Sequence, residues 1–262
     1  MTDIYQEIVK ITARGEAAAL VTIVSSAGST PRGEGTKMLV RADGSVIGSI
    51  GGGSLEAEVR DQAIEAVRTG KPQRLNFSLT AKEEEEPGMV CGGDMEVFIE
   101  PILPPPTLYI FGAGHISLPI ANIGKLIGFK IVVIDDRAEF ANPQRFPDAE
   151  VAVVEDFDKA FPQLQINKSS YIVIVTRNHQ YDELVLERAL ATQANYIGLM
   201  GSKARNKLVF SHLLAKGIPQ EQLDKVHAPI GLKIHAETPE EIAVSILAEI
   251  IQVRRSNLPN SR

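Results

Sequence analysis

The stretch TLYIFGAGHIS, residues 107–117, decides how the second half of this 262-residue chain folds. A β-prone run from Leu108 to Phe111 leads into a glycine turn, and an apolar helical pattern follows the turn. Strand, glycine turn and helix in this order allow the backbone to approach a phosphate group at the amino end of the helix. Three residues of the turn are therefore candidate nucleotide-binding residues: Gly112, Gly114 and His115.

An acidic residue closes the next predicted strand. Asp135 follows Gly112 by 23 positions, where a carboxylate accepts hydrogen bonds from ribose hydroxyls and repels a 2′-phosphate. If a dinucleotide binds, NAD is favoured. Ser117 stands where the fingerprint has glycine or alanine, and a Rossmann scaffold with no cofactor, or with another phosphate ligand, is an equal alternative.

Strands and helices alternate from residue 107 onward, which indicates a parallel sheet with helical crossovers. The predicted strands are Leu108 to Phe111, Lys130 to Ile134, Val151 to Val154, Tyr171 to Val175 and Tyr196 to Leu199. The predicted helices are Ile116 to Ile127, Glu183 to Thr192, Lys203 to Ala215 and Pro239 to Val253.

Loops that follow parallel strands gather at the carboxyl edge of a sheet, so we expect His179, Gly201 and Ser202 to join the same crevice. Asp182 follows His179 by three residues. Its carboxylate can orient the imidazole, or it can cap the next helix.

The first 103 residues have a different pattern, and the prolines between Pro101 and Pro106 separate them from the rest. Short β-prone runs lie between two amphipathic helical segments, with an edge strand predicted from Lys71 to Leu79. The predicted fold class is α/β, with an α+β domain at 1–103 followed by a Rossmann-like domain at 107–262 that ends in a helix.

Two loops of the first domain are candidate anion sites. Gly51, Gly52 and Gly53 precede a helix, so their amides and the positive end of the helix dipole form a cradle for an oxyanion or phosphate. The alternative is a tight turn with Ser54 as helix cap. Arg32, among the glycines of the loop 29–35, can hold a phosphate or carboxylate, and an ordinary surface turn is equally consistent with this loop.

Cys91 is the single cysteine, and Gly92 and Gly93 follow it. Adjacent glycines predict an accessible thiol among backbone amides that stabilise the thiolate, whereas free cysteines are also common as small buried hydrophobic residues. A single cysteine excludes an internal disulfide and the common structural zinc sets.

Composition excludes several classes of protein. The net charge of −6 comes without a basic block that would neutralise a row of phosphates, so we expect no nucleic-acid partner. The amino end lacks a signal-peptide layout, and no apolar run reaches the roughly 18 residues of a membrane helix. We therefore expect a cytoplasmic protein that does not enter a membrane.

Several segments in order along nearly the whole chain together resemble the XdhC/CoxI family of xanthine dehydrogenase accessory proteins. They are Ser29 to Arg32, Gly51 to Glu56, Cys91 to Gly93, Glu96 to Pro101, Phe111 to His115, Asp135 to Arg137, Gly198 to Lys203, Pro229 to Gly231 and Ala236 to Ala243. His235 stands where the family pattern predicts glycine.

The resemblance implies a protein that binds molybdenum cofactor (molybdopterin), protects it, and assists its sulfuration and insertion into a xanthine dehydrogenase-type hydroxylase. It implies a chaperone rather than a turnover enzyme, assembled as a homodimer and served by a cysteine desulfurase. Cys91 would then contact the molybdenum or its sulfur, since a soft thiolate suits a soft centre. Glu56 enters the predicted site with the glycine loop.

Two other functions stay open at this point. An NAD-dependent oxidoreductase of unknown small substrate would use Gly112, Gly114 and Asp135 for the cofactor and His115 or His179 as proton donor. A nucleotide-sensing regulator would change its affinity for a partner on binding a ligand, without turnover.

Overall fold

The computed structural model describes residues 3–78, 93–153 and 156–256. Contacts divide the chain into two compact units, with the division between Pro104 and Pro105. Cys91 and Gly92, and the predicted strand ends Leu79 and Val154, lie outside the described residues.

The amino-terminal unit is built on a five-stranded antiparallel sheet of order β3-β2-β1-β5-β4. Its strands are β1 (Ala18–Ala27), β2 (Lys37–Arg41), β3 (Val46–Gly48), β4 (Gln73–Ser78) and β5 (Asp94–Ile102). The register pairs Ala27 at the end of β1 with Asp94 at the start of β5. The loops after β1 and before β5 therefore leave the sheet at the same edge.

Two helices cover the two faces of this sheet: α1 (Ile4–Ala13) and α2 (Gly53–Thr69). Alternate residues of a strand point to opposite faces, and the core follows this alternation. Ala19 packs in the cluster that includes Val59 of α2, and its neighbour Ala18 packs with Ile11 of α1. Asp3 caps α1 by accepting a hydrogen bond from the Tyr5 amide, and Gly70 ends α2 in the left-handed conformation.

The carboxy-terminal unit is built on a five-stranded parallel sheet of order β10-β9-β6-β7-β8. Its strands are β6 (Thr107–Phe111), β7 (Lys130–Asp135), β8 (Glu150–Val153), β9 (Ser170–Ile174) and β10 (Tyr196–Leu199). The order reverses between β6 and β9, which is the switch point where open α/β sheets form their binding crevice. The predicted fold class is confirmed.

Helices cover both faces of the parallel sheet. They are α3 (Ser117–Leu126), α4 (His179–Leu190), α5 (Lys203–Ala215), α6 (Gln220–Leu223) and α7 (Pro239–Ser256), with short 3₁₀ helices at Phe157–Lys159 and Phe161–Gln163. One core cluster includes α3 and α7, and the other includes α4 and α5. Within the described ranges, no helix is both long and apolar enough to cross a membrane.

The main difference from the predicted elements is the start of α4, which begins at His179 and not at Glu183. The side chain of Asn178 caps this helix by accepting a hydrogen bond from the Tyr181 amide at 2.9 Å. The interpretation of Asp182 as a cap or as a partner of His179 is therefore wrong. Asp182 is buried and accepts hydrogen bonds from Thr176 and Arg205 instead.

Candidate functional site

Three loops of the amino-terminal unit that the sequence singles out are close to one another. Pro31 lies directly against Gly51, where a Cβ atom would stand 2.4 Å from the proline ring. Gly93 packs against the backbone of the first loop, where a Cβ atom would stand 2.4 Å from the Ala27 carbonyl oxygen and 2.8 Å from that of Ser29. No side chain fits at these two contacts without movement, so glycine at 51 and 93 allows the three loops to meet.

Gly93 is the described end of the cysteine-bearing segment. Cys91 and Gly92 precede it in the sequence and lie outside the described residues, so their places in the predicted site stay a prediction. The residue that follows, Asp94, starts β5 and accepts a hydrogen bond from the Ser78 hydroxyl at 2.7 Å. The segment therefore enters the sheet at the edge where the other two loops lie.

Glu56 holds the glycine loop from within. One carboxylate oxygen, Oε2, accepts hydrogen bonds from the Ser49 hydroxyl at 2.7 Å, the Gly52 amide at 3.1 Å and the Ile50 amide at 3.3 Å. Partial burial opposes ionisation of this carboxyl, but the three donors outweigh it and the pKa of Glu56 lies below its usual value. Of the amides expected to cradle an external anion, that of Gly52 is thus occupied by the chain's own carboxylate, and that of Gly51 donates to the Ser49 hydroxyl at 3.2 Å.

The backbone of the glycine loop explains its composition. Gly51, Gly52 and Gly53 all have positive φ angles, of 142°, 79° and 67°, a region that side-chain-bearing residues rarely adopt. Gly52 is the residue before α2, and the expected cap, Ser54, lies inside the helix. No side chain caps this helix. The amides of Gly53, Ser54 and Leu55 in the first turn form no hydrogen bond with the described residues, whereas that of Glu56 donates to the Gly52 carbonyl at 3.4 Å.

Arg32 lies exposed in the loop between β1 and β2. Among the described residues, no ion pair of Arg32 is formed, whereas Arg41 and Arg74 of the same unit pair with Glu7 and Glu96. Arg32 follows Pro31, the residue that contacts Gly51. It is thus a cation available to a ligand at the three loops.

The glycine turn of the carboxy-terminal unit lies at the switch point of the sheet. Gly112 has φ 110°, and a Cβ atom there would stand 2.4 Å from the carbonyl oxygen of Val175, the residue after β9. Around Gly114, in contrast, the space for a Cβ atom is open. Ser117 is fully buried and its hydroxyl donates to the Gly112 carbonyl at 2.7 Å. Ser117, which replaces the glycine or alanine of the fingerprint, therefore stabilises the turn through a buried hydrogen bond.

Asp135 is bonded to the glycine turn and to Arg137. Its carboxylate accepts hydrogen bonds from the Ala113 amide at 2.7 Å and from Arg137 through the backbone amide, Nε and Nη2 at 2.9–3.0 Å. Burial opposes its ionisation, but Arg137 and the Ala113 amide outweigh this and lower the pKa of Asp135. Sequence reasoning placed Asp135 in the crevice and did not find its partner.

The remaining predicted crevice residues follow the strands as expected. His115 and His179 are both exposed, at the starts of the segments that follow β6 and β9. Gly201 and Ser202 follow β10, and the Ser202 hydroxyl caps α5 by accepting from the Arg205 amide. Asp136 and Arg177 form a two-bond ion pair at 3.0 and 2.6 Å, which joins the loop after β7 to the loop after β9.

A buried carboxylate pairs with an arginine that lies close to Gly201, where a Cβ atom would stand 3.4 Å from Arg205 Cδ. The Asp182 carboxylate is 2% exposed and pairs with Arg205, and burial raises its pKa despite that partner. Sequence reasoning missed Arg205, because its partner becomes a neighbour only when α4 and α5 pack together.

A second polar cluster that sequence reasoning missed ties α7 to the sheet edge. Glu249 of α7 accepts hydrogen bonds from the Tyr196 hydroxyl at 2.5 Å and the Gly231 amide at 2.9 Å, and its other oxygen lies 3.3 Å from His227 Nδ1. Burial opposes ionisation of Glu249, but His227, Tyr196 and Gly231 together lower its pKa. The segment after α6 continues the sheet, since the His227 amide donates to the Ile197 carbonyl.

His235 has φ 59°, the one left-handed backbone at a residue other than glycine in the described ranges. The left-handed conformation favours glycine, which explains why the family pattern predicts glycine at this position. In this chain the same conformation is adopted by a histidine with an exposed side chain. No group of three or more His, Cys, Asp or Glu within the described residues is arranged to hold a metal ion.

Family models match both units of the chain. The model of the XdhC Rossmann domain matches residues 108–250, and the model of the XdhC and CoxI family matches residues 11–78. The first match alone spans more than half of the chain.

The chain is also similar to three curated proteins. An uncharacterized Escherichia coli (strain K12) protein, YqeB, is 37% identical over 97% of this chain and 47% of its own length. A protein of Bacillus subtilis (strain 168) described as a probable subunit of xanthine dehydrogenase is 36% identical over 61% of this chain and 46% of its own length. The molybdenum cofactor insertion chaperone PaoD of Escherichia coli (strain K12) is 24% identical over 92% of this chain and 84% of its own length.

The chain spans about half the length of the first two of these relatives. Among solved structures, a Bacillus halodurans protein described as a xanthine dehydrogenase is 25% identical, with a TM-score of 0.53 over 100% of this chain and 98% of that one. The ordered motifs, both family models and this whole-chain likeness agree. The chain belongs to the XdhC/CoxI family.

Proposed function

We propose that this chain is an accessory protein that holds molybdenum cofactor and delivers it to a xanthine dehydrogenase-type hydroxylase. Family membership and the similarity to a molybdenum cofactor insertion chaperone support this role. The proposal treats the cofactor as cargo, which the protein binds and releases without chemical turnover.

The observation that carries the proposal is the meeting of three loops in the amino-terminal unit. Glycine at positions 51 and 93 brings together the loop 29–35, the glycine loop and the segment that follows Cys91. A pterin cofactor with a metal–sulfur centre and a phosphate needs a soft ligand and a cation within one site. Cys91, two positions before Gly93 in the sequence, is the proposed contact to the molybdenum or its sulfur.

The charges of the described loops suit the phosphate end of such a cargo. Arg32 offers an exposed guanidinium, and guanidinium groups bind phosphate oxygens through two parallel hydrogen bonds. The amides of the first turn of α2 add donors and the positive end of a helix dipole. Glu56 stabilises the loop through its hydrogen bonds to the Ile50 and Gly52 amides. The proposed contacts to the anion are Arg32 and the amides of the first turn.

The finer parts of the proposal concern the protein's partners. We propose that the cofactor receives its terminal sulfur while bound here, from a cysteine desulfurase, and that the protein acts as a homodimer in the cytoplasm. Pull-down of the hydroxylase and the desulfurase from cell extract, and light scattering of the purified chain, test the partners and the dimer separately.

The decisive experiment measures the cofactor carried by the purified full-length chain. The chain is expressed in cells that make molybdenum cofactor, and the bound pterin is oxidised and quantified by fluorescence. We expect the wild-type protein to carry pterin, and Cys91→Ser and Arg32→Ala to carry several-fold less. Arg74→Ala is the matched control, because this arginine of β4 pairs with Glu96 of the neighbouring strand β5.

The wild-type result tests cofactor binding, and the Cys91→Ser result tests the role of the thiol. If wild-type protein carries no pterin under conditions where a known carrier does, the proposal fails. If Cys91→Ser retains as much pterin as Arg74→Ala, cofactor binding stands and the assigned role of the thiol is wrong.

A further inference from the structure

The crevice of the Rossmann unit has an unusual hydrogen-bond polarity at the position where ribose is ordinarily recognised. In dinucleotide-binding folds, an acidic side chain at the end of the second strand accepts hydrogen bonds from the ribose hydroxyls. Here that residue is Asp135, at the end of β7 and 2% exposed. Its environment decides whether it is free to serve this purpose.

The acceptor capacity of Asp135 is already used. A carboxylate offers about four lone-pair sites. Oδ1 accepts from the Arg137 amide and Nε, and Oδ2 accepts from the Ala113 amide and Arg137 Nη2. A ribose diol, which must donate to this carboxylate, would have to displace the guanidinium.

The guanidinium of Arg137 is held in place on its other side. It stacks over the Phe140 ring, 3.9 Å from the ring centre, and the same ring lies 5.2 Å from the Arg145 guanidinium. Arg145 in turn donates to the carbonyl groups of Ala113 and Phe140, at 2.9 and 3.0 Å. The segment after β7 is thereby fastened to the glycine turn in this arrangement.

Arg137 keeps donor groups for a ligand. A guanidinium has five N–H donors. Asp135 takes one from Nε and one from Nη2, and no hydrogen bond of Nη1 is formed with the described residues. The side chain is 25% exposed. The neighbouring Asp136 carboxylate lies 3.8 Å from Arg137 Nε and is itself paired with Arg177. At this position the chain therefore offers the Nη1 N–H donors, where Asp135 alone would offer a carboxylate acceptor.

We infer that Arg137 is a specificity-determining residue: this crevice recognises an anionic phosphate ester and, among adenine nucleotides, prefers one with a 2′-phosphate over one with a free ribose diol. An arginine near this position accommodates a 2′-phosphate in dinucleotide-binding folds. This reverses the NAD preference that Asp135 alone predicts from the sequence. It goes beyond the proposed function, since it concerns a ligand of the carboxy-terminal unit.

Calorimetric titration of the full chain tests the inference with two probes, adenosine 2′,5′-bisphosphate and adenosine 5′-monophosphate. We expect the bisphosphate to bind about tenfold more tightly. One added charge-assisted hydrogen bond, from Arg137 to the 2′-phosphate, contributes about this much to the affinity. Arg137→Ala removes this preference. Arg188→Ala keeps it, because this exposed arginine pairs with Asp158, forms no hydrogen bond with Asp135 or the glycine turn within the described residues, and its removal changes the net charge equally.

Arg137→Lys is the second variant, in case the alanine variant fails to fold. It keeps the charge but cannot bridge both oxygens of Asp135 in the same plane, and we expect an intermediate preference. Equal or tighter binding of the monophosphate to wild-type protein overturns the inference, as does a wild-type protein that binds neither probe. Neither result changes the pterin content of the purified chain, which tests the proposed function separately.

Discussion

Replacement of Glu56 tests how the glycine loop of the amino-terminal unit is maintained. Its carboxylate joins one hydroxyl and two backbone amides, and it lies partly buried at the start of α2. Glu56→Gln keeps an amide oxygen as acceptor but removes the charge, while Glu56→Ala removes the acceptor entirely. The two variants therefore separate the contribution of the charge from that of the hydrogen bonds.

The magnitudes follow from the number and kind of these bonds. A hydrogen bond to a charged group contributes about 1.5–3 kcal/mol and a neutral one about 1 kcal/mol, and partial exposure favours the low end. We expect Glu56→Gln to lower the free energy of unfolding of this unit by about 1 kcal/mol and Glu56→Ala to lower it by about 2–3 kcal/mol. Glu58→Gln, an exposed position on the same helix, is the matched control.

Hydrogen exchange of the Ile50 and Gly52 amides, followed by mass spectrometry on the full chain, is the local assay. A loss of about 1 kcal/mol corresponds to roughly fivefold faster exchange when the loop opens. Urea unfolding gives the global value. Unchanged protection of these two amides in Glu56→Ala would refute the assigned role of the carboxylate.

The pH dependence gives an independent check. Because the folded pKa of Glu56 is lowered, its stabilisation is fully present above the unfolded pKa of about 4.3 and is lost as the pH falls through the folded value. We expect the difference in stability between wild type and Glu56→Gln to be constant near pH 7 and to shrink below about pH 4. A difference that grows on acidification contradicts this assignment.

Three further predictions concern contacts that only the fold reveals. Gly93→Ala, whose Cβ would stand 2.4 Å from the Ala27 carbonyl oxygen, is expected to lower the unfolding free energy by about 2 kcal/mol and to reduce pterin content, while Gly33→Ala, with open space, leaves the unfolding free energy unchanged. Glu249→Ala leaves buried donors without an acceptor and is expected to cost about 2–4 kcal/mol in urea unfolding. His235→Gly relieves a left-handed backbone and is expected to raise the unfolding free energy by about 0.5–1 kcal/mol, measured by thermal unfolding at constant protein concentration.

Much of the fold follows from periodicity and glycine placement. The predicted bounds of β10 and α5 agree with the structure at both ends, since each segment lies between clear turn residues. The start of α4 is harder to predict because Asn178 and Asp182 are both good capping residues. The choice between them depends on Arg205, which pairs with Asp182 from another helix.

The candidate sites also depend on contacts between residues that are distant in the sequence. Arg32, the glycine loop and the cysteine segment are recognisable in the sequence as glycine-rich loops with chemistry-bearing residues. Their proximity in the amino-terminal unit depends on the pairing of Ala27 with Asp94, two residues far apart in the sequence. No local preference encodes that pairing.

The sequence by itself determined the two architectures and the family, because backbone preference and side-chain periodicity are local properties and the motifs stand in a fixed order. The tertiary structure decided which partner each polar group takes. Asp135 accepts a hydrogen bond from the Ala113 amide 22 positions away. Glu56 accepts one from the Gly52 amide, which the sequence predicts to bind a ligand. Hydrogen-bond partners depend on distances in the folded chain. Which donors and acceptors remain for a ligand, at the glycine loop and at the glycine turn, is therefore decided by the tertiary structure.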